Sequence, residues 1–245
     1  MSMYSTLTLT GTHILEPLTL SRKESFPSRQ RDFVAQKFYQ RADWHAAPLP
    51  KDAGHLQVSL QLEERMSFGR SAVVYAAKII HDDMGEQHGV SPTTVSPSDD
   101  ELCVKIARPN RCRTLAREAW VYEQLSELAA PGAITPRYYG FFAATISSDM
   151  QSFSMWTSHD FHLEIEPRFW DDADAQELNR DDSTRDDPLT DDKAQVEDTS
   201  PGCRELSPWV DWKPELNAPL LSVLVLARGG PSYTPDEDDM DPATQ

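Results

Sequence analysis

The sequence predicts an α+β domain of five strands and one main helix, interrupted and followed by disordered acidic segments. Three observations predict it. Five short runs have period-two alternation or a continuous β-branched and aromatic character, and a single longer run has the 3.6-residue period of an amphipathic helix. The third observation is charge. Among 245 residues, 23 Lys and Arg face 40 Asp and Glu, a formal charge of −17 at pH 7. Residues 171–198 hold twelve acids, Asp171, Asp172, Asp181 and Asp182 among them, against only Arg180, Arg185 and Lys193. Residues 236–245 add five acids and no base, which leaves about −3 on the other 207 residues.

The elements follow in order. Residues 1–55 read as a weakly structured lead-in, with a short helix expected over 32–41, where Phe33, Lys37 and Phe38 share one face before Pro48 and Pro50. Residues 56–146 hold four strands and the helix. Leu56, Val58, Leu60 and Leu62 alternate in the first strand, and a Ser-Phe-Gly-Arg-Ser turn at 67–71 leads into the second, which makes a hairpin. Residues 81–100 are polar and loop-like. Residues 102–107 form a third strand. Over 113–128, Leu115, Glu118, Tyr122 and Leu125 fall on one helical face, and Pro131-Gly132 ends the helix. A fourth strand lies within 134–146, with Tyr138, Tyr139, Phe141 and Phe142. An acidic insertion, 147–217, is expected to be solvated and disordered. Trp209 and Trp212 within it either dock part of it onto the sheet or begin the fifth strand. That strand and a short exit occupy 218–230, and 231–245 is an acidic tail.

Composition excludes several functions. No basic stripe offsets the acidity, so a nucleic-acid phosphate reader is not expected. The longest apolar run, 220–227, has eight residues against the roughly 20 that a membrane-spanning helix needs. The alternating start, Ser5-Thr6-Leu7-Thr8-Leu9-Thr10, is not a secretory signal. Cys103, Cys112 and Cys203 have an odd count and no metal-ligand spacing, which fits reduced thiols in a cytoplasmic or nuclear protein. His159 and His162 have helical metal-ligand spacing but no third ligand nearby.

Three features carry chemistry. The hairpin turn has small residues at Ser67, Gly69 and Ala72, so backbone could approach a phosphate there, although a plain structural turn has the same look. Lys105 shares a strand face with the small Cys103 and Ala107, which leaves room for a ligand and equally suits an exposed face. Glu118 sits among apolar Leu115, Tyr122 and Leu125, where a carboxylate needs a cationic partner. Lys105 can serve, and so can an arginine on the helix rim.

In combination these residues resemble the N-terminal lobe of eukaryotic protein kinases. Ser67-x-Gly69-x-x-Ala72-x-Val74-Tyr75 is similar to the Gly-rich loop with one of three glycines kept, and Leu102-Cys103-Val104-Lys105 to the strand whose lysine holds the α- and β-phosphates of ATP. Glu118 fits the helix glutamate better than Glu123 does. The run at 222–226 resembles the strand entering the hinge, which makes Leu226 the gatekeeper and Ala227-Arg228-Gly229 the hinge. Met66, Val74 and Cys103 would then line an adenine pocket. The Cys-Val-Lys-Ile-Ala-Arg-Pro-Asn run at 103–110 and Arg117-Glu118-Ala119-Trp120 also resemble the kinase-like proteins of mushroom-forming fungi. The fold the resemblance implies is a five-stranded antiparallel sheet with one main helix.

The departures set the expected function. No His-Arg-Asp loop occurs, and no Asp-Phe-Gly follows the hinge. Asp160-Phe161-His162 precedes the fifth strand, whereas the metal-binding aspartate must follow it. The expectation is a truncated, kinase-like protein with a weak or vestigial ATP site, no magnesium site and no autonomous phosphotransfer. One rival is a pseudokinase-type interaction module that binds a protein partner on a bare lobe surface. Another is the truncated product of an active kinase gene.

Overall fold

The structure is a computed structural model that describes residues 4–12, 14–32, 34, 37–39, 41, 43–49, 56–69, 71–82, 101–128, 136–146, 189, 191–192, 203–215 and 218–228. These residues form strands β1 (Thr6–Gly11), β2 (Ile14–Arg22), β3 (Gln30–Asp32), β4 (Lys37–Tyr39), β5 (Gln57–Phe68), β6 (Ala72–Asp82), β7 (Leu102–Ala107), β8 (Tyr138–Thr145) and β9 (Leu220–Ala227). One α-helix, α1 (Cys112–Leu128), follows a 3-10 turn at Pro109–Arg111.

The five strands and the helix read from periodicity are present, but the open five-stranded antiparallel sheet is not. Seven strands close into a barrel in the order β1-β2-β8-β9-β7-β6-β5. Strand direction cannot alternate all the way around a ring of odd number, so one neighbouring pair must be parallel. That pair is β1 with β5, in register from Thr6 opposite Gln57 to Gly11 opposite Leu62. Every other barrel pairing is antiparallel.

The closing strands come from the segment expected to be a loose lead-in, and that expectation is corrected too. Its Thr-Leu-Thr-Leu-Thr alternation is a strand pattern with one buried face: Leu7 and Leu9 are fully buried, as is Leu20 on β2. Pro17 lies where β2 pairs with β1 across a register shift, while β8 meets β2 only at Ser21 and Arg22. A missing N–H is tolerated there. Arg22 reinforces the short β2–β8 seam by donating from Nη1 to the Tyr139 carbonyl at 3.2 Å.

Among the described residues, the helix expected over 32–41 is also absent. The described part of that segment is the two-stranded β3–β4 ladder, with Arg31 opposite Phe38 and its guanidinium 5.8 Å from that ring. Phe33, Lys37 and Phe38 make too narrow an apolar stripe to hold so short a helix.

Two cores result. Inside the barrel, Leu7, Leu9, Leu60, Val73, Val104, Phe142 and Val223 pack together. On the outside, α1 lies over β7, β9 and β8 through Leu115, Ala116 and Ala119, which meet Phe141, Leu224 and Leu226. Trp209 completes this layer with its ring 5.6 Å from Phe141 and its Nε1 donating to the Glu24 carbonyl at 2.7 Å. Of the two roles open to Trp209, docking part of the insertion onto the sheet is the one the structure has, so the insertion is not disordered throughout. Residues 147–188 and 229–245 lie outside the described residues. No described helix is long and apolar enough to cross a membrane.

Candidate functional site

Cross-strand register arranges the predicted residues on the barrel's outer face. Ser67, Val74, Lys105 and Leu224 pair in turn across β5, β6, β7 and β9. Ala76, Cys103, Leu226 and Tyr138 form the next row, across β6, β7, β9 and β8. Period two turns Val104 and Ile106 into the barrel and leaves Lys105 outside, beneath the helix. The small side chains of Ala116 and Ala119 let α1 approach the sheet, and Glu118 faces β7 beside them. Lys105 Nζ donates to both Glu118 oxygens, at 2.8 and 2.6 Å. Of the two partners open to Glu118, the structure selects Lys105. Both side chains keep about a quarter of their exposure, 26% and 28%. Such a pair contributes up to about 1 kcal/mol.

The surroundings are tuned by burial. Burial pushes the Cys103 thiol up, only partly offset by Lys105 and Arg228, and its Sγ lies 3.9 Å from the Ala227 carbonyl. Tyr122 is likewise pushed up by burial and then by the Glu118 charge.

The remaining predicted residues sit at the margins. Gly69 closes the β5–β6 hairpin by donating its N–H to the Ala72 carbonyl at 2.9 Å, so that amide is not offered to a phosphate. A β-carbon at Gly69 would meet nothing within 4 Å. Ala72 is buried, Val74 and Ala227 are half-buried, and Met66 is exposed. Leu226 is buried in the helix-side core. The Ala227 N–H donates to the Arg137 carbonyl at 2.8 Å, and Arg228 pairs with Glu101 at 3.2 Å. Among the described residues, the Gly69 and Ala227 amides are thus bonded within the barrel, and Lys105 is engaged by Glu118. His159 and His162 lie outside the described residues, and no group of three or more metal-ligating side chains occurs among the described ones.

Sequence reading missed two clusters on the same helix. Glu123, the glutamate set aside in favour of Glu118, is buried and accepts from Ser25 Oγ at 2.5 Å, Tyr138 Oη at 3.0 Å and the Ala47 N–H at 3.1 Å. Burial nevertheless holds its carboxyl above the usual range. It fastens the chain after β2 to the helix, as does Trp120, which donates to the His45 carbonyl at 3.1 Å.

The second cluster gathers Arg29, Arg113, Arg117 and Arg204 around Asp191, Asp192 and Glu205. Arg113 grips Asp192 with two bonds, at 3.0 and 2.7 Å. Arg117 and Arg204 each reach Asp191 Oδ2 at 3.1 Å, Arg204 also meets Asp192, and Arg29 holds Glu205. Phe26 is wholly buried beneath three guanidiniums, 4.7 to 5.2 Å from its ring centre. The available signal was the i, i+4 spacing of Arg113 and Arg117.

No protein-family model, curated protein or solved structure matches the chain.

Proposed function

We propose that the outer face around Lys105 is a vestigial nucleotide site, in which the ammonium takes a phosphate of ATP weakly and no group on the chain transfers it. The observation that carries this reading is the two-bond engagement of Lys105 by Glu118, which fixes a cation on a sheet face beside Ser67, Val74 and Cys103. Support also comes from the kinase-like run at 102–105 and the spacing that follows Glu118. Binding is weak because the Gly69 and Ala227 amides are already bonded within the barrel. Transfer is absent because no His-Arg-Asp base and no Asp-Phe-Gly metal ligand occurs in these 245 residues. The three thiols are free, which agrees with a reducing compartment, cytoplasm or nucleus.

The alternative of a protein-interaction module draws less support, because among the described residues the apolar clusters of the sheet lie inside the barrel and beneath α1 and Trp209. Among the described residues, large exposed apolar side chains such as Met66, Ile80, Val121 and Leu206 stand on different elements.

Incubation with radiolabelled ATP, magnesium and a generic peptide tests the catalytic half of the reading. No label transfer is expected. Transfer that Lys105→Ala abolishes would overturn it.

A further inference from the structure

The arginine cluster joins three stretches distant in sequence: Phe26 to Arg29 after β2, the first half of α1, and the segment before β9. Four guanidiniums meet three carboxylates there, and three of these seven groups are buried: Arg204 retains 4% of its side-chain exposure, Arg113 8% and Asp191 1%. Arg117 also donates to the Phe26 carbonyl at 2.9 Å and to Ser28 Oγ at 3.1 Å. Arg29 adds its N–H to Asp191 Oδ2 at 3.2 Å. Without Asp191 and Asp192, Arg113, Arg117 and Arg204 would remain pressed on one ring and lose the two carboxylates that bridge them, with Glu205 at 3.9 Å from Arg204 a more distant countercharge, which disfavours the packed arrangement. Two of those three arginines are on α1, and Arg117 is the residue before Glu118.

We propose that Leu189, Asp191, Asp192 and residues 203–212 form a charge-held clasp on α1, with the two aspartates as positioning residues. Acting through Arg113 and Arg117, they fix the pose of the helix and so the grip of Glu118 on Lys105. The competing arrangement is a helix held by Leu115, Ala116 and Ala119 alone, with the ionic cluster as a passenger. The charges that face Asp191 are Arg117 from the helix, Arg204 from its own segment and Arg29 from the chain after β2; those that face Asp192 are Arg113 and Arg204. Burial pushes both carboxyls up, and these arginines more than reverse it, so both stay ionised in the neutral range. This inference is independent of nucleotide binding.

The test reads Lys105 itself. An amine engaged by two carboxylate oxygens acylates slowly, so limited acylation of the full chain, quantified per lysine by mass spectrometry, reports the pair. Glu118→Gln is expected to speed Lys105 acylation ~3- to 5-fold, the scale of a partly exposed ion pair. Asp191→Asn with Asp192→Asn is expected to do about the same, and to add nothing in the Glu118→Gln background. Lys78, exposed and paired with Glu63 on the β5–β6 hairpin, serves as the internal control and stays unchanged. Asp192→Asn alone is the milder variant, with a smaller rise, and it decides the matter if the double variant does not fold. Wild-type acylation of Lys105 in the folded aspartate variants, or an effect that adds to that of Glu118→Gln, overturns the proposal.

Discussion

A β-carbon at Gly11 would stand 2.9 Å from the carbonyl oxygen of Leu62, closer than real side chains approach backbone. The contact lies on the parallel β1–β5 seam that closes the barrel. Gly140 marks the opposite side of the β1–β2 hairpin, where β8 bulges: a β-carbon there would lie 2.7 Å from the Phe142 ring and 2.9 Å from Arg22 Nη1. Both glycines have positive φ, +147° and +153°. Gly11→Ala and Gly140→Ala should each cost about 1–3 kcal/mol in urea unfolding. Gly69→Ala, with open space and no such backbone, should be neutral or stabilising by up to ~1 kcal/mol.

The first strands are part of the core. Leu9 is fully buried inside the barrel, so Leu9→Ala should cost about 2–5 kcal/mol. Removal of residues 1–24 should abolish cooperative unfolding, because it reopens the sheet and exposes its interior face. Unchanged unfolding of the shortened chain would mean that β1 and β2 are dispensable.

Stability should depend on pH in two opposed ways. Asp191 and Asp192 are held below the usual carboxylate range, chiefly by Arg117, Arg113 and Arg204 against the cost of burial. Their contribution is complete above the unfolded carboxylate value of about 4 and is lost as pH falls through their lower folded values. Burial raises Glu123, so its contribution is complete below that value and fades as pH rises through its folded one. Urea midpoints between pH 2 and 8 should fall on the acid side in the wild type and fall less in the Asp191→Asn, Asp192→Asn variant. Glu123→Gln should flatten the slope above pH 4.

Legibility followed the range of the interaction. Period two placed Lys105 on the helix side of β7, and the face that begins at Leu115 placed Glu118 opposite it, both from patterns a few residues long. Barrel closure depends on β1 finding β5, as in the bond from Ser5 Oγ to the Leu56 carbonyl, 51 residues away. The alternation of Leu7 and Leu9 was visible, but nothing local names the partner strand. The clasp was hidden for a different reason. Asp191-Asp192 reads the same as Asp171-Asp172 or Asp181-Asp182, and nothing local points it to arginines as distant in sequence as Arg113 and Arg117. The helix expected at 32–41 failed because three residues of one face cannot outweigh a competing short ladder.

Isothermal titration of ATP into the wild type and into Lys105→Met tests the central reading most directly. The account predicts a dissociation constant on the order of 1 mM for the wild type and no measurable heat of binding for Lys105→Met. Micromolar binding, no binding at millimolar ATP, or binding that Lys105→Met leaves unchanged would contradict it.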